Sequence, residues 1–262
     1  LAADLTSTAY LTGRSERNFF DMRGYHFLVQ RENTQEIDAQ GFVQLHDDQA
    51  EQAVVHPVVD HNYILDDPFF GGEVRFDSNF TSLSRDESDV RHPAAPFPEF
   101  YAGVSGQQTR ASSRASWQRR FIVPGGQLLT PFGYMQADAS YISPDEPNEW
   151  LGSPDLVPRA MPAGGLEYEW PILATLGSTV HTFGPRAQLI LRPDEQRAGD
   201  LPNEDAQSLV FDDTNLFEWD KFSGYDRQEG GTRANLGLLH QGLFPGGMTV
   251  DALLGQSYQL AG

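Results

Sequence analysis

The connections between the strand-like segments of this chain alternate between short and long, and this alternation constrains the fold more than any other feature. The short ones are Gly13–Arg17, Leu65–Gly71, Pro124–Gln127, Ile172–Thr179 and Gly242–Gly247. The long ones are approximately Arg31–Gln52, Asp86–Gly106, Ser143–Arg159 and Pro193–Gly230. Such sorting by parity is typical of an up-and-down membrane β-barrel, in which tight periplasmic turns alternate with extended extracellular loops.

The segments between these connections alternate apolar and polar residues, which predicts strands. From Glu73 to Phe80, for example, Val74, Phe76 and Phe80 share one face. We count about ten such segments, many near the ~9–11 residues that a tilted strand needs to cross a bilayer. The register predicts one face toward lipid, with Trp117, Leu189 and Leu236, and one toward a wet interior, with Gln118, Gln188 and Asn235.

Composition excludes some functions and leaves others open. The chain has 37 acidic against 18 basic residues, a net charge of −19, and its only lysine is Lys221. This balance argues against a nucleic-acid partner, whose phosphates require cations. Cysteine is absent, so the chain offers neither disulfides nor thiolate metal ligands. The mean hydropathy of −0.45 suits a soluble protein, but barrel strands also average to a polar value.

The predicted fold is all-β: an antiparallel up-and-down transmembrane β-barrel, of which these residues supply about ten strands. In hydrocarbon every backbone polar group needs a partner, so a sheet must close on itself. Ten strands with one polar and one apolar face leave two open edges if they belong to a larger barrel. We therefore expect residues 1–262 to be a partial barrel domain within a longer protein.

Charged residues of the predicted strands are expected to line the interior of the barrel. Glu167 and Glu169 share one strand face, whereas the two carboxylates of a glycosidase flank the bond that they cleave. Lining is therefore the favoured interpretation of this pair. The lumen-facing candidates are Arg110, Arg114, Arg120, Glu167, Glu169 and Arg186.

No catalytic, cofactor or metal site is expected. His56 and His61 lie five residues apart, which places them on opposite faces of a strand. The acids of the last long connection could offer oxygens to a hard cation such as calcium. Their spacing matches no established calcium loop, so ordering of the loop by hydrogen bonds is the favoured interpretation. The chain is expected not to be an enzyme.

Five blocks of the chain, in order, carry a resemblance to a known family. They are Pro57–Tyr63, Gly71–Arg85, Pro185–Leu191, Pro202–Gly237 and Leu254–Tyr258. The chain resembles the central part of the barrel domain of LptD, the outer-membrane lipopolysaccharide-assembly family also called organic solvent tolerance protein. The blocks span nearly the whole chain.

The resemblance implies a translocon that inserts lipopolysaccharide into the outer leaflet of the Gram-negative outer membrane. It implies as partners an LptE-type plug lipoprotein, outer-membrane lipids, and periplasmic lipopolysaccharide bridge proteins that bind through a jellyroll domain. The jellyroll, the barrel seam strands and the family's cysteines are not matched by this chain. Two alternatives remain: a general porin or receptor barrel, and a soluble acidic β-sandwich that binds or cleaves carbohydrate.

The connection Pro202–Gly231 is expected to be ordered and to fold over or into the barrel mouth. Its five aromatic residues could bury too much apolar area to remain in water. Its acids and asparagines can hydrogen-bond the local backbone and hold turns. The candidate residues of this lumen cap are Asn203, Glu204, Asp205, Asp212, Asp213, Phe217, Trp219 and Tyr225.

Overall fold

The computed structural model of the chain describes residues 4–30, 34–37, 43–46, 49–91, 100–145, 156–197, 201–206 and 214–262. The regular structure of these residues is entirely β. Among them, no helix has the length and apolar character required to span a membrane. The strands are β1 (Asp4–Arg14), β2 (Asn18–Val29), β3 (Thr34–Ile37), β4 (Val43–His46), β5 (Val54–Ile64), β6 (Glu73–Arg85), β7 (Asp89–Arg91), β8 (Phe100–Gly103), β9 (Gly106–Gln118), β10 (Phe121–Val123), β11 (Gln127–Ser143), β12 (Leu156–Glu169), β13 (Ile172–Leu176), β14 (Thr179–Leu191), β15 (Thr232–Leu243) and β16 (Thr249–Ala261).

Twelve of these strands form one antiparallel sheet. Ten of them follow the order β1-β2-β5-β6-β9-β11-β12-β14-β15-β16, and the short β10 and β13 pair with β11 and β14. This confirms the predicted up-and-down order of about ten strands. Within the described residues β1 pairs only with β2, and β16 only with β15, so the sheet is open. An open sheet of this kind is what part of a larger barrel presents.

The long connections lie at one edge of the sheet and the short turns at the other, as the alternation predicts. Two long connections carry hairpins of their own: β3 pairs with β4, and β7 with β8. At the opposite edge the turn after β10 is made by Gly125 and Gly126, with φ of 88° and 75°. Glycine adopts this left-handed region without steric cost, which permits the tight reversal.

The turn predicted at Ile172–Thr179 is shorter than expected. Ile172–Leu176 is strand β13, and the reversal falls at Gly177 and Ser178. Because β12 and β13 both pair with β14, they are one strand interrupted at Trp170 and Pro171. Proline has no N–H for the ladder, which accounts for the interruption. β9 and β10 likewise both pair with β11 and are separated only by Arg119 and Arg120.

The connection predicted at Ser143–Arg159 is also shorter than expected, because β11 includes Ser143 and β12 begins at Leu156. The prolines of β12, Pro158 and Pro162, made this segment unlike a strand in sequence. β12 pairs with β11 along its whole length but with β14 only from Gly164 onward. Both prolines therefore lie where β12 has one neighbour, and strand edges tolerate proline.

The two faces of the sheet differ in the way that a bilayer requires. Twenty polar or charged side chains are buried among the described residues, against eleven apolar ones. Large apolar side chains are instead exposed, among them Met135 at 50 %, Leu236 at 52 % and Leu254 at 77 %. We call the face that carries Asp138 and Asn235 the inner face, and the apolar one the outer face. A soluble sandwich would bury its apolar face against a second sheet.

Candidate functional site: a cap on the inner face

The connection between β14 and β15 folds back onto the inner face. We call its described part, residues 201–206 and 214–231, the cap. It contributes Leu216 and Phe217 to the buried apolar side chains, and Asp226 and Gln228 to the buried polar ones. The cap therefore has a core of its own, shared with the strands beneath it.

Arg110 of β9 is the cation on which the cap converges. Its Nη2 donates to Asp205 Oδ2 at 2.7 Å and to Asn79 Oδ1 at 3.1 Å. Its Nη1 donates to Asp226 Oδ1. The Arg110 and Asp226 side chains are only 3 % and 2 % exposed. One arginine of the sheet thus binds two carboxylates from separate parts of the cap.

The same two carboxylates join the halves of the cap to each other. Asp226 accepts the backbone N–H groups of Glu204 at 2.7 Å and Asp205 at 3.1 Å. Asp205 in turn accepts those of Tyr225 and Asp226, each at 3.0 Å. Next to them, a Cβ on Gly224 would lie 2.2 Å from Asp205 Oδ1, so this close approach requires glycine.

This arrangement shifts the pKa values of Asp226 and Asp205 in opposite directions. Burial raises the pKa of Asp226 to about 6, against the opposing effect of Arg110. Burial also works to raise the pKa of Asp205, but Arg110 and the two backbone amides outweigh it and lower that pKa below its usual value. Carboxylates that accept hydrogen bonds from cations and amides are stabilised in the charged form.

A second contact ties the cap to the end of β6. Arg85 donates from Nη1 and Nη2 to the two carboxylate oxygens of Glu204, at 2.9 and 2.8 Å. Both side chains are nearly buried, at 7 % and 11 % exposed. Burial raises the pKa of Glu204, and Arg85 opposes this. Bidentate pairs of this geometry are the stronger kind of ion pair.

Arg159 of β12 holds the cap backbone. It donates to the carbonyl oxygens of Asp226 at 2.6 Å and Tyr225 at 2.8 Å. It also pairs with Asp138 of β11 at 3.1 Å, and Asp138 accepts from Gln228 of the cap. These contacts satisfy cap carbonyls that would otherwise be buried without partners.

The last turn of the cap is held by Glu229. This carboxylate accepts from Arg233 Nη1 of β15 and lies 3.4 Å from Arg192 Nη2. Beside it, Lys221 donates from Nζ to Ser257 Oγ of β16 at 2.9 Å. Burial, with a contribution from Arg233, lowers the pKa of Lys221 to about 8.

Two aromatic residues fix the cap at its centre. The Trp219 ring stacks on Phe132 of β11, with centroids 4.4 Å apart and planes 8° apart, and its Nε1 donates to Glu167 at 3.0 Å. The Cζ atom of Arg186 lies 4.3 Å from the centroid of the Phe217 ring. The same ring packs over Gly237 of β15. Any side chain at 237 would meet this ring, since a Cβ there would lie 2.9 Å from it.

Most of the predicted site residues meet at the cap. Six of the eight cap candidates lie in it; Asp212 and Asp213 lie outside the described residues. Asn203 bonds both the N–H and the carbonyl of Ala206, each at 3.0 Å, as expected of a turn-holding asparagine. The cap candidates in the described residues are Asn203, Glu204, Asp205, Phe217, Trp219 and Tyr225.

Four of the six candidates on strands contact the cap. These are Arg110, Arg114, Glu167 and Arg186. Glu169 is half-buried in β12, and Arg120 is exposed in the break between β9 and β10. The interrupted strand explains why the alternation that begins at Arg110 does not extend to Arg120.

The expectation of a wet environment for Gln188 and Asn235 is wrong. They are 2 % and 0 % exposed. Asn235 donates to Gln188 at 2.6 Å, and Gln188 donates to the carbonyl of Phe217 at 2.7 Å. The inner face was assigned correctly, but the cap covers it at this point. Leu189 and Leu236, at 40 % and 52 % exposed, lie on the outer face as predicted.

Sequence reasoning missed several residues that hold the cap. Alternation alone places the strand residues among them on the inner face, since Asp138 and Arg159 face each other across β11 and β12. It gives no sign that a distant loop would bind them. The missed residues are Arg85, Asp138, Arg159, Arg192, Asp226, Gln228 and Arg233.

The part of the chain that the structure describes contains no group of three or more His, Asp or Glu side chains that could hold a metal ion. In a comparison with protein families, the model for LptD (LPS transport system D) matches residues 2–262. No match is found among curated proteins.

Proposed function

Given that the chain belongs to the LptD family of lipopolysaccharide (LPS) transport, we propose that its sheet is a wall of an outer-membrane barrel whose passage the cap narrows. The inner face lines the passage, and the outer face meets lipid. In this role the barrel conducts LPS and keeps the outer membrane sealed, and it catalyses no reaction. The observation that carries this proposal is the polar core between cap and sheet, built around Arg110.

The exposed apolar outer face supports contact with lipid. Leu236 and Gln241 lie on the same strand, the first on the outer face and the second exposed on the inner face. Leu236→Arg is expected to cost about 2–4 kcal/mol, the range for a cation near the bilayer midplane. Gln241→Arg, the matched control, should be tolerated. Heat-modifiable gel migration of the folded barrel measures both, and equal tolerance would contradict the lipid assignment.

The sorting of connections supports an orientation with the long ones outside the cell. Glu87 is exposed at the edge of the long connections, and Ser178 is exposed at the edge of the short turns. The chain has no cysteine of its own. A cysteine at Glu87 should react with an impermeant thiol reagent on intact cells, and one at Ser178 only after the membrane is opened. The reverse order of labelling would overturn the orientation.

The aromatic anchors supply the test of the cap itself. Replacing both Phe217 and Trp219 with alanine removes the stack on Phe132 and the contact over Gly237. We expect the barrel to assemble less well, or to admit large antibiotics that the outer membrane normally excludes. Tyr10→Ala, on the inner face but 74 % exposed, is the control and should change neither readout. Full sealing by the double variant would contradict the cap.

The plug lipoprotein and the periplasmic LPS bridge are proposed as partners from the family resemblance. A supporting feature is an apolar patch on the uncapped inner face, where Leu239 lies directly opposite Leu253 and Leu243 is 47 % exposed. A photo-crosslinking residue at Leu243 should capture an LptE-type lipoprotein. The same residue at Leu254, on the outer face, should not. Capture at Leu254 alone would place the partner elsewhere.

A further inference from the structure

A cavity of 420 Å³ lies beside the cap, between the cap and the inner faces of β2, β5, β6 and β9. Its size falls within the range of small-molecule sites, which are mainly apolar with a few placed polar groups. The contacts that hold the cap to Arg110 form one wall of this cavity. Most of the remaining lining residues belong to β2, β5 and β6.

One wall presents a flat aromatic surface. The rings of Tyr25 and Phe27 are parallel, with centroids 6.0 Å apart and planes 11° apart. Both line the cavity and both are half-buried. They lie two residues apart on β2, so the strand alternation aims both toward the inner face. Stacked rings of this kind offer the apolar surface on which the C–H face of a sugar ring can pack.

Other strands of the lining present hydrogen-bonding groups to the cavity. Asp60 accepts one bond from Asn79 at 2.8 Å, and a carboxylate can accept several. Gln108, 8 % exposed, lines the cavity and has no side-chain hydrogen-bond partner among the described residues. Its amide can both donate and accept hydrogen bonds, so it can bind a hydroxyl group that enters the cavity.

The charge of the lining selects against an anion. It carries the four carboxylates of Asp60, Glu204, Asp205 and Asp226 and one guanidinium, that of Arg110. Both terminal nitrogens of Arg110 already bind acids of the cap. A phosphate or carboxylate ligand would meet like charge here, which is unfavourable. A neutral molecule with several hydroxyl groups would instead donate to these acceptors.

From the stacked rings, the amide and the acceptors together, we infer that this cavity is a binding subsite for an uncharged sugar unit. The inference rests on the proposed function, because it assigns the sugar portion of LPS a binding site on the wall of the passage. Phe27 provides the stacking surface, and Asp60 and Gln108 bind hydroxyl groups. Phosphorylated units of the same polymer are disfavoured at this point.

The intact protein in detergent micelles is titrated with maltotriose, a neutral hexose oligosaccharide, and in parallel with glucose 6-phosphate. Binding is followed by saturation-transfer NMR. Saturable binding of maltotriose alone is expected. Phe27→Ala and Asp60→Asn should each weaken it about tenfold or more, the effect of losing one hydrogen bond to a charged group or one aromatic surface.

Tyr10→Ala and Asp251→Asn are the controls, since both alter the inner face outside the cavity, and both should bind as the native protein does. Heat-modifiable migration establishes that each variant is folded. Equal or tighter binding of glucose 6-phosphate, or no saturable binding of maltotriose, would overturn the subsite. A protein that fails to bind maltotriose but still seals the outer membrane leaves the proposed transport function standing.

Discussion

Two arginine–aspartate pairs on the inner face have the same chemistry and opposite surroundings. Arg23 of β2 pairs with Asp21, and the Arg23 side chain is 47 % exposed while that of Asp21 is 10 % exposed. Arg110 of β9 pairs with Asp226 and Asp205, and its side chain is 3 % exposed. The difference between them is the cap, which covers Arg110. The position of an ion pair on a strand face therefore does not determine how much the pair contributes to stability.

Solvent explains the difference. An ion pair whose cation is open to water contributes little to stability, because water solvates that cation with or without its partner. A buried pair contributes little compared with an apolar substitute, but removing one partner leaves a buried charge and costs about 3–5 kcal/mol. The covered region should therefore be intolerant of changes that the open region accepts.

The largest contrast is expected between Arg110→Ala and Arg23→Ala. Arg110→Ala should lower the free energy of unfolding by about 3–5 kcal/mol, whereas Arg23→Ala should lower it far less. The loss at Arg110 should shrink as the pH falls, because protonation of Asp226, whose pKa is already raised to about 6, removes the buried charge. Urea midpoints in detergent, at pH 7.5 and pH 5, measure both; similar losses would erase the distinction.

A smaller contrast is expected between two amides of β15 that share the inner face. Asn235 is covered by the cap and bonded to Gln188, whereas Gln241 is exposed and donates to Asp251 at 2.9 Å. Asn235→Leu leaves the buried Oε1 of Gln188 without a donor, at a cost of about 1–3 kcal/mol. Gln241→Leu should cost less than about 0.5 kcal/mol. A larger loss at Gln241 would show that the open face is covered in the intact protein.

A further contrast concerns glycines beneath the cap. A Cβ at Gly255 of β16 would lie 2.3 Å from Leu216 Cδ2 and 2.8 Å from the Leu236 carbonyl oxygen. Gly255→Ala should therefore cost about 1–3 kcal/mol, because the Leu216 side chain can adjust but the backbone carbonyl of Leu236 cannot. At Gly184 the added atom would make ordinary contact at 3.6 Å, so Gly184→Ala serves as the control. Thermal unfolding in micelles compares the two, and a harmless change at Gly255 would mean that Leu216 does not pack there.

The smallest effect is a titration. Lys221 should titrate near pH 8, because burial beside Arg233 lowers its pKa. Since its folded pKa lies below its unfolded one, the folded state binds fewer protons between about pH 8 and 10.5, and the free energy of unfolding rises with pH in that window. ¹³C-dimethylation of Lys221, the only lysine of residues 1–262, gives an NMR signal for the side chain. The paired alanine substitution of Phe217 and Trp219 should move its midpoint toward the ordinary value of about 10.4; an unshifted native lysine would show that this part of the cap is open to water.

The amino-acid sequence by itself determined the strands, their order and the polarity of each face. Alternation with period two is a local property, and a one-residue change of register would have exposed Asn235 and buried Leu236. Local reasoning was wrong where prolines interrupt the pattern, at Pro171 and in β12. Whether these segments form strands depends on which strands lie beside them, and residues nearby in the sequence do not encode that pairing.

Only the tertiary structure decided which polar residues of the inner face are buried and what they bind. Arg110 and Asp226 are 116 residues apart, and Arg85 and Glu204 are 119 apart. The aromatic content of the cap predicted that it would pack against something, because apolar area is costly to leave in water. It could not predict the partners, since Arg23 and Arg110 are equivalent in the alternation pattern. The cap separates them because it closes over Arg110 and removes water from it, whereas the Arg23 side chain stays 47 % exposed.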